Sequence, residues 1–191
     1  MPISEDKIKA ANNRLVTTDQ PYWCASCAAG LIAVIVWPYL PAAQVLTIFA
    51  TLLVADRQLS FISVRFWRDE GRDQHAGYWE KWLFAGNLIA GTIWGLVCAV
   101  LYLQLPESPQ LLVGMTLILV IGGWSIAHIP SVKCILAFSL TATAPLVFAT
   151  LTEREFDDYI IGLVAPLFLT AVLRHARVVS DAYRASLEIS S

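Results

Sequence analysis

The stretch GNLIAGTIWG, from Gly86 to Gly95, places three glycines and one asparagine inside an otherwise apolar run. In water glycine disfavours a helix, and a buried asparagine needs a hydrogen-bond partner. In a lipid bilayer no water competes for the backbone, and glycine lets neighbouring helices approach closely. The stretch therefore predicts a transmembrane helix with a face of small residues.

The composition of the whole chain predicts several such helices. Of the 191 residues, 57% are hydrophobic and 15% are charged, against about 25% charged in soluble domains. A bilayer core about 30 Å thick requires roughly 20 apolar residues per helix. We predict an all-α, polytopic membrane protein with six spans; five spans, with one of the last two at the membrane interface, is the alternative. The six spans are Tyr22–Tyr39, Ala42–Phe66, Trp82–Leu103, Leu111–Ile129, Val132–Leu151 and Phe156–Leu173.

Lysine and arginine positions predict the orientation, because cytoplasmic loops are enriched in these residues. With six spans, every one of the 13 basic residues except Arg154 falls on one side of the membrane. We therefore predict that both termini are cytoplasmic. The predicted parts are a cytoplasmic segment (1–21), a six-helix transmembrane domain (22–173) and a cytoplasmic helix (174–191).

Spans three and four are predicted to be antiparallel neighbours, because only the seven residues Gln104 to Gln110 join them. Their small residues predict close packing between the two helices, with Gly91 and Gly123 at equal depth and GTIWG forming a GxxxG pattern. The sequence leaves open whether this packing lies within one chain or between two copies. The glycines assigned to helix packing are Gly86, Gly91, Gly95, Gly122 and Gly123.

Asn87 is the polar residue of this region that most needs an explanation. It lies near the predicted cytoplasmic end of span three, at the depth of Ser125 and His128. One interpretation is a structural hydrogen bond from Asn87 to Ser125 or His128. The other is a small polar pocket for a ligand, lined by these three residues beneath Trp94 and Trp124, two tryptophans that lie away from the span ends.

The sequence offers no complete catalytic or metal-binding set. Cys24 and Cys27 share a helix face, but no further ligands complete a zinc site, so we predict neither a metal nor a cofactor. No P-loop, GxSxG, HExxH or GxGxxG motif is present, and no catalytic residue is predicted. Asp56 precedes Arg57 near the predicted inner end of span two. Snorkelling to the interface is the default interpretation, and a buried functional Asp56 is the alternative.

The residues after Leu173, RHARVVSDAYRASLEISS, contain neither glycine nor proline and can continue span six as a helix. The six spans, the segment YWEKWLFAGNLIAGTIWG, the loop LQLPESPQ and the prolines Pro130, Pro145 and Pro166 resemble the N-terminal membrane regions of bacterial sensor histidine kinases and diguanylate cyclases. The resemblance implies a bundle in the inner membrane of a bacterium that senses a membrane-soluble or membrane-state signal, and a dimeric helix that relays it. Neither a phospho-acceptor histidine box nor a GGDEF sequence occurs, so enzyme activity would belong to a further, C-terminal part.

These observations lead to one main functional hypothesis and two rivals. We expect a sensor module that forms a homodimer, with the lipid bilayer and a lipophilic small molecule as its partners and no nucleic acid. The first rival is a small transporter or channel, in which Pro145 and Pro166 would break the last two spans, although no internal repeat supports it. A membrane-bound enzyme is disfavoured, because no acid, base and nucleophile converge at one depth.

Overall fold

The computed structural model describes residues 10, 22–127, 131–153, 167–168, 170–175 and 177–181. These residues form helices, turns and short connections without a strand, which confirms the all-α prediction. Residues 170–175 and 177–181 are helical as well. The helices whose bounds lie within the described residues are α1 (Tyr22–Val36), α2 (Ala42–Arg68), α3 (Ala76–Gln104), α4 (Glu107–Ala127) and α5 (Val132–Glu153).

Four of these helices, α2 to α5, are long and apolar enough to cross a membrane. This finding supports the prediction of a membrane protein. The helix α1 is apolar but has only 15 residues, about 23 Å, which is shorter than the bilayer core. The predicted sixth span, Phe156–Leu173, lies mostly outside the described residues, so the count of six spans and the cytoplasmic termini stay predictions.

Helices α2 and α3 extend further towards their connecting turn than predicted. α2 continues to Arg68 rather than ending at Phe66, and α3 begins at Ala76, six residues before Trp82. Both ends are charged and aromatic, so their hydropathy is low although their backbone is helical. With 27 residues α2 is about 40 Å long and exceeds the thickness of the bilayer core.

The turn between α2 and α3 is organised by Asp69, which caps the end of α2. Its Oδ1 accepts a hydrogen bond from the Gly71 backbone N–H at 2.9 Å, and its Oδ2 accepts one from Trp79 Nε1 at 2.7 Å. His75 Nδ1 lies 3.1 Å from the same Oδ2. The hydrogen bond from Trp79, followed by that from His75, lowers the pKa of Asp69 below its ordinary value of 3.8.

The helix α3 occupies the centre of the described bundle. It packs against α2, α4 and α5, and its contact with α5 is the most extensive between any two helices in the described part of the chain. α3 and α5 run in the same direction, since residues 91 and 138 meet in the same register as residues 95 and 142. α1 packs outside this group, against α2 and α4.

The small-residue face of α3 meets α5, and the predicted pairing of this face with span four was wrong. A Cβ added to Gly91 would collide with the backbone of Phe138, and one added to Gly95 would lie 2.6 Å from the carbonyl oxygens of Thr141 and Ala142. A short link places α4 beside α3, but it does not determine which face of α3 it covers.

The other glycines have different surroundings. A Cβ on Gly86 would lie 2.7 Å and 2.9 Å from side-chain atoms of Ile62 and Leu59 on α2, and one on Gly122 would lie 3.4 Å from Phe168. Gly123 is exposed, and none of the described atoms lies within 4 Å of where its Cβ would be. Among the five predicted packing glycines, Gly91 and Gly95 therefore make the closest backbone contacts.

Pro145 explains part of the fit between α3 and α5. It lies inside α5 without interrupting the helix, so it does not break span five as the rival transporter hypothesis would require. Because proline has no N–H, the carbonyl of Thr141 four residues earlier loses its usual helical partner. That carbonyl oxygen points to Gly95, where the missing side chain leaves room for it. The proline on α5 and the glycine on α3 thus complement each other.

We predict that Gly95→Ala destabilises the bundle by about 1–3 kcal/mol, because the new methyl group meets backbone that cannot rotate away. The matched control Gly123→Ala adds the same methyl group in open space on α4 and should leave stability unchanged or slightly higher. Unfolding in detergent can be followed by a thiol-reactive dye, since Cys98 and Cys134 are buried. Cys24 and Cys27 are replaced by alanine in every variant. Equal midpoints for the two glycine variants would contradict the close α3–α5 contact.

We predict that Asp69 makes stability pH-dependent in the acid range. Because the folded protein lowers its pKa, its contribution is complete above pH 3.8 and is lost as the pH falls through the lower folded value. Asp69→Asn should unfold at a lower temperature than wild type at pH 7, and the difference should shrink towards pH 3. Glu70→Gln, at an exposed neighbouring position, is the control. A constant difference between Asp69→Asn and wild type at all pH values would refute this role.

Candidate functional site

Two groups of buried polar side chains lie within the apolar bundle, and each joins α3 to a neighbouring helix. In the first, the fully buried Asn87 makes two hydrogen bonds. Trp124 Nε1 of α4 donates to Asn87 Oδ1 at 2.6 Å, and Asn87 Nδ2 donates to the Leu83 carbonyl at 2.8 Å. Both ends of the amide therefore have partners, as a polar group in a membrane helix requires.

The first group also connects α3 and α4 to α5. The Trp124 ring stacks on the Phe138 ring, with centroids 4.6 Å apart and an interplanar angle of 17°. The backbone of Phe138 is in turn the surface against which Gly91 packs. Three helices are thus held in one arrangement by Asn87, Trp124 and Phe138. A displacement of one of these helices would change its contacts with the other two.

The second group contains Asp56 of α2 and Trp94 of α3. Asp56 is 1% exposed and Trp94 is 0% exposed. The indole N–H is close enough to interact with the carboxylate, yet it does not reach hydrogen-bond geometry. The two carboxylate oxygens of Asp56 and the indole nitrogen of Trp94 have no hydrogen-bond partner among the described residues. Buried polar atoms without partners are rare and require an explanation such as a bound water, an ion or a ligand.

Two buried hydroxyl oxygens also have no hydrogen-bond partner among the described residues. Ser60 Oγ lies one helical turn beyond Asp56 on α2, and Ser139 Oγ lies on α5. Unlike them, the hydroxyls of Thr116 and Ser125 donate to carbonyls of their own helix at 2.7 Å. Asp56 and Ser60 therefore give one side of α2 three oxygen atoms whose hydrogen-bonding capacity the described residues do not use.

The position of Asp56 corrects its predicted environment. Because α2 runs from Ala42 to Arg68, Asp56 lies in the middle of the helix and not near its end. Its side chain points into the bundle, whereas the neighbouring Arg57 is exposed. Snorkelling is therefore the wrong interpretation for Asp56, and the alternative of a buried position is confirmed. An ionisable residue buried within a membrane helix is a candidate functional residue.

The predicted ligand-binding residues do not form one site. Asn87 and Trp124 bind each other, which takes the place of the predicted bond from Asn87 to Ser125. Ser125 is buried but donates to Ile121 of its own helix. Trp94 lies seven residues from Asn87, about 10 Å along the axis, and faces Asp56 instead. His128 lies outside the described residues. Ligand binding by any of them stays a prediction.

A sequence signal for Asp56 was present in α2. Leu52, Asp56, Leu59, Ser63 and Phe66 recur at intervals of three or four residues and are all buried. Asp56 therefore belongs to the inward stripe of its helix. Assigning each residue of α2 to a face would have placed Asp56 inside and Arg57 outside.

The chemistry of the second group is hydrogen bonding and charge. Within the described part of the chain, no cluster of three or more histidine, cysteine, aspartate or glutamate residues has the geometry of a metal site. Asp56 and Ser60 present acceptors, and Trp94 presents one donor. A polar molecule with at least one donor and one acceptor fits this set.

We predict that the Asn87–Trp124 hydrogen bond contributes about 0.6–1.7 kcal/mol of coupling, the range measured for bonds between membrane helices. A double-mutant cycle with Asn87→Ala and Trp124→Phe measures it, because phenylalanine keeps the stacking on Phe138 and removes the N–H. Unfolding midpoints of the two single variants, the double variant and wild type give the coupling. Additive effects of the two substitutions would show that the bond contributes nothing to stability.

No family model, no curated protein and no solved structure matches this chain.

Proposed function

We propose that this chain is the transmembrane input module of a bacterial signal-transduction protein, a sensor histidine kinase or a diguanylate cyclase, in the inner membrane. The observation that carries the proposal is the Asp56–Trp94 group, a buried polar set between two helices. The described residues leave its hydrogen-bonding capacity unused. A structural polar group would be satisfied within the protein, as Asn87 is. A buried polar group without a hydrogen-bond partner among the described residues can bind a small molecule that supplies one.

The geometry suggests how such a signal would act on the bundle. A ligand that donates to Asp56 and accepts from Trp94 would enter between α2 and α3 and change their packing. α3 cannot move alone, because Gly91 and Gly95 join its backbone to α5 and Asn87 joins it to Trp124 of α4. Displacement at Asp56 would therefore be passed to three helices. A coupling of about 1–3 kcal/mol is typical of such switches.

The output in this proposal leaves the membrane through the C-terminal helix. Residues 170–175 and 177–181 are helical, and helical segments of this kind join sensor bundles to catalytic domains in the proteins that the sequence resembles. In a homodimer, a shift of two such helices would change the distance between two output domains. Kinase or cyclase activity belongs to those domains and not to this bundle.

The proposal is tested by joining residue 191 to a reporter kinase in liposomes and screening lipophilic molecules with hydrogen-bonding groups. We expect a subset to change kinase output, and we expect Asp56→Asn and Trp94→Phe each to reduce that response at least tenfold while the protein stays folded. The control is Thr92→Val, because Thr92 is a residue of α3 whose hydroxyl bonds only its own helix. A response that survives both substitutions would refute the role of this group, and the absence of any response would count against the sensor function.

A small transporter is the second candidate, and the burial of Asp56 within a membrane helix is the observation that favours it. Buried carboxylates within spans commonly mark ion pathways. The continuity of α5 through Pro145 weighs against it, since transporter sites typically use interrupted helices. Proton or sodium flux into liposomes that is abolished by Asp56→Asn would support transport over sensing.

A further inference from the structure

α2 carries an exposed row of arginines that neither the packing nor the proposed sensor role explains. Arg57, Phe61, Arg65 and Arg68 recur at intervals of four, four and three residues, which places them on one helix face. All four are exposed. The Arg65 guanidinium lies 4.5 Å above the centre of the Phe61 ring, which orients it along the helix. We refer to Arg57, Arg65 and Arg68 as the arginine row.

The arginine row has no ion-pair partner among the described residues. Arg57 interacts electrostatically with the adjacent Asp56, but none of the three guanidinium groups lies within ion-pair distance of a described carboxylate. Lys133, at the same end of the bundle, differs from the arginine row because it already has a counter-charge. Its Nζ donates to Glu80 Oε1 at 2.7 Å.

The depth of the row follows from the length of α2. About 20 residues cross the bilayer core, so a core that begins near Ala42 ends near Phe61. Arg65 and Arg68 then lie at the level of the lipid headgroups. Arg57 lies one turn below this boundary, from which a long side chain reaches upward. The exposed rings of Trp67 and Trp82 at the same end are typical anchors at the membrane interface.

We propose that the arginine row is a binding site for the phosphate of an anionic phospholipid. A guanidinium group can donate two parallel hydrogen bonds to the oxygens of one phosphate. This interaction is stronger where water is partly excluded. Arg65 and Arg68 hold the phosphate from the headgroup level, and Arg57 approaches it from below. The exposed Phe61 side chain, at the edge of the bilayer core, lies beside the acyl chain of the same lipid. This site is independent of the Asp56–Trp94 group and of the proposed sensor function.

The test compares lipid binding to the full chain by native mass spectrometry in detergent. Phosphatidylglycerol and phosphatidylcholine of equal chain length are titrated in parallel. We expect wild type to bind phosphatidylglycerol at least tenfold more tightly than phosphatidylcholine. Arg65→Gln should weaken phosphatidylglycerol binding about fivefold, the effect of one basic residue near an anionic lipid. The phosphatidylglycerol affinity of Arg65→Lys should lie between those of wild type and Arg65→Gln, because lysine keeps the charge and loses the paired hydrogen bonds.

The matched control is Lys133→Gln, which removes the same charge from the same end of the bundle at a residue that already has a partner. It should retain the phosphatidylglycerol affinity of wild type. Because Arg65 and Lys133 are both exposed, neither substitution threatens the fold, and thermal unfolding of each variant verifies this. Equal loss of affinity in Arg65→Gln and Lys133→Gln would show general charge attraction and overturn the site. Equal binding of the two lipids by wild type would do the same.

Discussion

The arrangement of this bundle depends on the close approach of α3 and α5. Lipid offers little hydrophobic drive for two apolar helices to associate, so their attraction comes from dispersion at short range. Gly91 and Gly95 permit that range, because the backbone of α5 occupies the space that their side chains would need. Pro145 assists by freeing the carbonyl of Thr141 for the same contact. Once this pair is fixed, the positions of α2 and α4 on the remaining faces of α3 are restricted.

The two polar groups differ because the contact of α3 with α5 leaves them different neighbours. Asn87 meets the Trp124 ring, which the stacking on Phe138 already holds in place, and its amide is satisfied. Trp94 faces Asp56 on α2, and no comparable bond forms there among the described residues. A polar group that is satisfied stabilises one packing of the helices. A polar group without hydrogen-bond partners does not favour one packing of the helices in this way. A ligand that binds to it can therefore shift the bundle to a second packing, which is the property a sensor needs.

Local sequence patterns predicted the helices better than they predicted the contacts between helices. Apolar runs and the glycine-rich stretch indicated α2 to α5 because hydropathy and length depend on neighbouring residues. The partner of Gly91 could not be predicted, since a short loop makes α3 and α4 neighbours without deciding which faces meet. The burial of Asp56 was not predicted for a related reason. The position of Asp56 along the span indicates its depth, whereas its burial depends on the helix face that it occupies.

The same helix α2 therefore presents two opposite solutions for charge in a membrane, one residue apart. Arg57 lies on the lipid side, where its long side chain reaches the headgroups and gains a phosphate as its counter-ion. Asp56 is short and faces α3, so it cannot reach the interface and depends on what the bundle offers. Among the described residues, the bundle offers Asp56 one indole N–H, and that group lies outside hydrogen-bond geometry. A carboxyl group in this position weakens the packing of α2 on α3 unless a further molecule completes its hydrogen bonds, and this deficit is the physical basis for assigning it a role in recognition.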